Sequence, residues 1–382
     1  MASASFADEA GDAKRGKELV GKYQCNRCHD GTGVESGVKP LEHCVHCHQD
    51  ILAGKFRAPP DKLETWTKNL ATLREVPSLS AAGKRFRRGW IATFLREPHD
   101  LRPRLLGSMP RFAISADDAR DIAAYLVPND PEPELAMSGA DAVKGRALVE
   151  ANGCGTCHVM TGAPPLPDAP TPLGPRDFET RPAVALAPDL RFARDRWRAA
   201  ELVKWLREPR AVKADALMPQ VPLTPEQARD IAAYLLTTPL EPAPPRAVPA
   251  RLPVLERRVT WDEVYDRVFR KTCRHCHAEP DYALGDGGPG NTGGFGFAPR
   301  KLNLADYAGA QAGALDSSGQ RKSVFAPLAD GTPWLVASLL ARQAEEAGKP
   351  NPEVRGMPLG LPSVAPEDIQ LVETWVAQGR PQ

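Results

Sequence analysis

Apolar residues return at the spacing of one helical face in Ile122, Tyr125 and Leu126, and again in Ile231, Tyr234 and Leu235. The two sets lie in nearly identical stretches, DARDIAAYLV (118–127) and QARDIAAYLL (227–236). Upstream, KRGKELVGKYQCNRCH (14–29) matches VKGRALVEANGCGTCH (143–158), and WIATFLREPH (90–99) matches LVKWLREPR (202–210). Self-similarity of this extent marks duplicated units, each opened and closed by an amphipathic helix. A third segment has the same plan with a different sequence: an apolar-periodic helix in TWDEVYDRVFRK (260–271) and a closing one in PEDIQLVETWVAQG (366–379).

Distances along the chain locate an insertion. Pro77 to Arg96 and Pro188 to Arg207 are both 19 residues, but His29 to Pro77 is 48 against 30 from His158 to Pro188. The excess of 18 residues in the first unit contains LEHCVHCHQD (41–50).

The chain of 382 residues is too long for one core, and its 42% apolar and 25% charged content is that of a soluble globular protein. Prolines concentrate at 128–135, 163–175 and 239–253, and the first and last of these clusters read as semi-rigid linkers. No run of 18 apolar residues is present, so no membrane span is expected. The opening MASASFADEA lacks the basic and apolar regions of a signal peptide.

All eight cysteines fall into one pattern: Cys25 and Cys28 before His29, Cys44 and Cys47 before His48, Cys154 and Cys157 before His158, and Cys273 and Cys276 before His277. The C-x-x-C-H spacing puts two thiols on one turn, where they can add to the vinyl groups of a haem, and directs the next imidazole at the iron. Structural zinc also uses C-x-x-C pairs but has no need of His after every one. We therefore expect four covalently bound haem c groups. They would also supply the apolar bulk that an aromatic content of 6% leaves short. Haem attachment of this kind takes place outside the bacterial inner membrane, so a periplasmic or extracellular location is expected, reached through a signal peptide absent from this chain.

Here the chain resembles class I cytochromes c, in which a glycine on the first helix lets an aromatic of the last helix cross closely. Gly16 and Gly145 stand nine residues before the first cysteine of their units, and Tyr125 and Tyr234 supply the aromatics. The third unit departs, with Val264 and Trp375 at these places, so a wider crossing is expected. Through KLNLADY, GMPLGLP and WVAQG, it is similar to cytochrome domains of planctomycete-type proteins. The resemblance implies an all-α fold of three class I cytochrome c-like domains in tandem, joined by Pro-rich linkers. These are a dihaem domain at 1–130 and monohaem domains at 136–238 and 256–382.

It also implies a methionine in a Met-Pro turn as second axial ligand. GSMPRF offers Met109, ALMPQV Met218 and RGMPLG Met357, whereas Met1, Met137 and Met160 lack the following proline and read as structural. The second haem is left without such a methionine. His46 and His275 sit between the cysteines of their own motifs, where the ring points away from its own iron, and read as surface residues. His99 has Arg210 as its repeat counterpart and occurs only in the unit with the extra motif. We therefore expect His99 to ligate haem 2, with His43 as the alternative. Such a bis-histidine haem would stand below the three His/Met haems in potential, because thioether sulfur favours ferrous iron.

The net charge of +1 becomes about −3 with four ferric haems and ionised propionates, which excludes nucleic acid as a general partner. GKRFRRGW (83–90) and its counterpart RFARDRWR (191–198) are basic enough either to pair with propionates or to dock an acidic partner. GDGGPGNTGGFGF (285–297) lacks the strand and Lys-Ser/Thr of a phosphate loop and reads as flexible. The expected function is single-electron transfer between a redox-protein donor and acceptor, a membrane-bound complex among them, with no catalytic residues. Two alternatives stay open: a haem enzyme such as a peroxidase with haem 2 open to substrate, and a cytochrome subunit docked on a membrane redox complex.

Overall fold

The computed structural model describes residues 10–35, 42–70, 75–99, 101–104, 109–128, 137, 139–168, 181–281 and 287–382. Met1, most of the 128–135 linker and Asp286 lie outside these. Helices dominate, and strand is confined to the antiparallel pair Ala314–Leu315 and Arg321–Lys322. The apolar residues gather into three cores. One runs from Leu19 to Val127, one from Val149 to Leu235, and one from Val259 to Val376. Residues 241–250, in the last Pro-rich segment, are exposed and form neither helix nor strand.

In the first two cores the opening and closing helices cross in the same way. Asp12 caps helix Ala13–Lys22 by accepting from the Lys14 and Arg15 amides, and Asp141 caps Ala142–Ala151 by accepting from Val143 and Lys144. The backbone amide of each cap donates to an aspartate of the closing helix, Asp12 to Asp121 at 2.7 Å and Asp141 to Asp230 at 2.8 Å. Gly16 meets the Asp121 carbonyl and Tyr125, and Gly145 meets the Asp230 carbonyl and Tyr234, so closely that a Cβ on either glycine would overlap the backbone oxygen. Helix Trp261–Val264 continues as a π-helix to Cys273, and Val264 and Trp375 are both fully buried. Trp261 and Phe269 pack on Trp375 at 5.6 and 6.2 Å between ring centres, holding the backbones further apart than in the other two crossings.

One helix supplies its own control for this account. Gly16→Ala is expected to lower holoprotein stability by about 1–3 kcal/mol, since the overlap can be relieved only by parting the helices. Gly21→Ala, in the same helix with only Val34 nearby at 3.5 Å, should raise it by up to about 1 kcal/mol. Thermal unfolding of the two variants would show equal shifts if the crossing were loose.

The duplicated units meet through their equivalent basic segments. Phe86 and Trp197, which correspond in the repeat, form an antiparallel bridge. The Arg87 amide donates to the Arg196 carbonyl at 3.0 Å and the Arg198 amide to the Arg85 carbonyl at 3.3 Å, so the contact is locally two-fold. The third core docks elsewhere on the first. Phe295 packs edge-on against Phe112 at 5.2 Å, Arg111 pairs with buried Glu345 at 3.7 Å, and Gly360 lies against Pro110.

Candidate functional site

Each C-x-x-C-H segment folds into a tight turn that returns the histidine amide towards the first cysteine. His29 donates to the Cys25 carbonyl and His158 to Cys154, both at 2.9 Å, and His277 to Cys273 at 3.0 Å. Gln24 and Gly153, just before the first and third motifs, take left-handed backbone conformations that start the turn. The second motif instead lies within a regular helix, Cys44–Leu52, capped by the His43 side chain.

Ring orientation bears on what these histidines can bind. His29 Nδ1 contacts the Pro77 carbonyl and His158 Nδ1 the Pro188 carbonyl, each at 2.8 Å. As a carbonyl only accepts, the proton sits on Nδ1 and Nε2 is left as a neutral donor for a metal. Desolvation holds both imidazoles below their usual pKa, which favours that neutral form. His277 is pulled further down, to about 4, by burial. Its ring lies against Gly290, where any Cβ would collide with it, and Gly288 is similarly pressed on Cys276. The glycine-rich stretch expected to be flexible is thus, from Gly287 onward, packing around the fourth motif. It also reaches the first core, with Gly294 on Gln24 and Gly296 on Tyr23. Close backbone approach explains the glycine density that the sequence reading took for looseness.

The thiols are free for haem attachment: none is in a disulfide, and burial pushes Cys25 and Cys273 up to about 12, which keeps them as neutral thiols. Among the described residues, the one group of three or more His, Cys, Asp or Glu side chains close enough to share an ion is Asp30, His43 and His46, which contains no cysteine.

The cationic residues also fit. Arg85 is 6% exposed, and burial pushes it down to about 10, against the field of Asp215, the Phe86 ring 4.4 Å from its guanidinium carbon and a hydrogen bond to the Ala81 carbonyl. Burial likewise brings Arg196 to about 9, with Arg85 and Arg102 adding to the effect, and its Nε lacks a hydrogen-bond partner. Arg102 is lowered by desolvation too. Arg102 acts electrostatically on His29, and Arg196 and Arg104 on His158. Such guanidinium groups, Arg85 buried and Arg102, Arg104 and Arg196 half-buried, with little carboxylate to balance them, suit a cofactor that brings its own carboxylates. Within GKRFRRGW and RFARDRWR, Arg85 and Trp197 are buried and Phe86 is partly buried at an internal interface, so the centre of these runs is not free for docking, the second of the two roles expected for them.

The first two motifs are neighbours, with the Cys28 and Cys44 thiols close enough to raise the Cys28 pKa, and Arg104 donates to the Cys157 carbonyl of the third at 3.1 Å. Met109 packs against the first core and Met218 against the second, both partly buried. The Met357 amide donates to Ser338 at 2.9 Å. Met160 is a core residue and Met137 lies against the same core, as structural methionines would.

The remaining histidines separate clearly. His43 and His46 stack at 3.6 Å, with Nε2 atoms 3.6 and 3.1 Å from Asp30. His99 is exposed, its Nδ1 held by the Glu97 carbonyl at 3.1 Å and its ring against Phe94 and Phe192. Its described contacts lie at the junction of the repeats, where Phe192 belongs to the second unit. The ring facing His48 is His275, which sequence reasoning set aside.

Residues 142–239 match the family model described as Cytochrome c. A cytochrome c domain at these residues implies covalently bound haem c there and supports a haem-based electron-transfer protein. No curated protein matches the chain, and no solved structure does. Cytochrome c domains are typically extracytoplasmic and generally electron carriers, and among the described residues no helix is long and apolar enough to cross a membrane.

Proposed function

We propose that the chain is a tetrahaem cytochrome of three units, working outside the cytoplasm as a relay of single electrons between a donor and an acceptor protein. The observation that carries this reading is that the first and second motifs meet at Cys28 and Cys44, the second and fourth at His48 and His275, while Arg104 of the first unit reaches the third at the Cys157 carbonyl. Each haem c would supply a one-electron iron couple. Cys25, Cys28, Cys44, Cys47, Cys154, Cys157, Cys273 and Cys276 would hold the macrocycles, and His29, His48, His158 and His277 the irons. Met109, Met218 and Met357 would complete the first, third and fourth sites, which leaves those irons closed to substrates and favours carriage over catalysis.

The contacts support an order that differs from the order along the chain. Cys28 touching Cys44 brings the first and second sites together, the Arg85–Arg196 junction joins the first to the third, and Pro110 on Gly360 sets the Met109 turn beside the Met357 turn. The first unit is then the hub, with the third and fourth motifs as its two outlets.

Intact-mass measurement of the purified protein tests the count. Four haem masses should remain bound under denaturing conditions, because each motif supplies two thiols; three or fewer would remove a site from the relay.

A further inference from the structure

His48 and His275 face one another with ring centres 6.3 Å apart and planes inclined by 43°. A metal–imidazole bond is about 2 Å long and the bonding nitrogen lies about 1 Å from the ring centre, so two imidazoles on opposite sides of one metal ion have centres roughly 6 Å apart. His275 makes no hydrogen bond or ion pair among the described residues, and its ring is exposed, so its nitrogens are free to bind. Its place between Cys273 and Cys276 turns it away from the fourth motif's own iron and towards the first unit. The other three histidines outside the motif ends have partners elsewhere: His43 and His46 with Asp30, and His99 with Glu97, Phe94 and Phe192.

We propose that His275, from the third unit, is the second axial ligand of the haem held by Cys44, Cys47 and His48. This rests on the tetrahaem reading and names the ligand that reading leaves open. The bis-histidine site is then shared between two units and can be complete only when the third is docked on the first, a docking that Phe112 on Phe295 and Arg111 on Glu345 already hold. The same residue makes a bonded link between sites. From the His275 imidazole, the backbone leads through one peptide bond to Cys276, whose sulfur holds the fourth haem. A histidine at this inner position of a C-x-x-C-H motif thus ligates one haem while its neighbours anchor another.

The test uses the holoprotein carrying His275→Ala, with His99→Ala as comparison. Intact mass should show four haems in both. His275→Ala should convert one haem of the four from low-spin to high-spin in the ferric electron paramagnetic resonance spectrum and bind one equivalent of carbon monoxide when reduced. Added imidazole should restore the low-spin signal. His99→Ala should remain low-spin throughout. An unchanged spectrum in His275→Ala with four haems present overturns the ligand assignment and leaves the tetrahaem reading intact. Loss of the second haem from the wild type overturns both. Should His275→Ala fail to mature, His275→Met decides: a fourth methionine-to-iron charge-transfer band in the near infrared supports the assignment, and its absence from a four-haem product overturns it.

Discussion

Met218→Ala is expected to abolish one of three methionine-to-iron charge-transfer bands and to lower the potential of one haem by on the order of 0.1–0.2 V, part of the roughly 0.8 V that axial ligands command. Soft thioether sulfur stabilises ferrous iron, and water or an empty position does so less well. Met218 is partly buried against the second core, immediately before Pro219 and seven residues ahead of the closing helix Pro225–Thr237. The loss should therefore stay local, with the other haems titrating as before. Met109→Ala should behave differently, because Pro110 and Arg111 of its turn touch Gly360 and Glu345 of the third core. A disturbance at Met109 can be felt at Met357, so its variant should shift two potentials where the Met218 variant shifts one. Spectroelectrochemical titration separates the cases, and a Met218 variant with all three bands intact would remove that residue from the ligand set.

What could be read in the sequence was whatever depends on neighbours in the chain or on the repeat. The four motif turns are local, and Gly16 with Tyr125 and Gly145 with Tyr234 were recognisable because the same pair occurs twice at the same spacing. Even Pro77 and Pro188 stood out as fixed points of the repeat, although only the coordinates give their reason, which is that their carbonyls orient His29 and His158. Contacts between units left no such trace. His275 was expected to point away from its own iron, but the residue it faces, His48, lies in another unit, and no periodicity connects them. His99 was preferred on its absence from the second repeat. The structure gives another reason for a ring there, which is packing against Phe192 where the repeats meet. The basic runs were read as pairing with propionates or docking a partner, and neither reading contained the two-fold contact that buries Arg85 and Trp197 at their centre.

That buried centre carries the second large effect. Replacing Arg196 by Met in the holoprotein should cost about 3–5 kcal/mol of stability, the penalty for leaving a buried anion without its counter-charge. The anion is inferred from the imbalance on the protein side. Burial and two like charges press on Arg196, while Phe86 and Trp197, at 5.4 and 5.8 Å from its guanidinium carbon, offer cation–π contacts that offset only part of that. A charged group survives there when a carboxylate belonging to the cofactor answers it. Removing a positive charge near His158 also makes reduction less favourable, since the incoming electron loses an attraction worth about 2 kcal/mol at roughly 8 Å in a medium of effective dielectric constant 20. One potential should fall by tens of millivolts, and that of the haem bound by His29 by less, since Arg102 acts on that side. Arg196→Lys separates charge from packing: it should recover most of the potential and only part of the stability, because lysine keeps the charge and loses the planar fork. Equal potentials in the wild type, the Met variant and the Lys variant would mean that this guanidinium faces no cofactor carboxylate, and that the junction of the repeats is held by the Phe86–Trp197 packing and the backbone hydrogen bonds beside it.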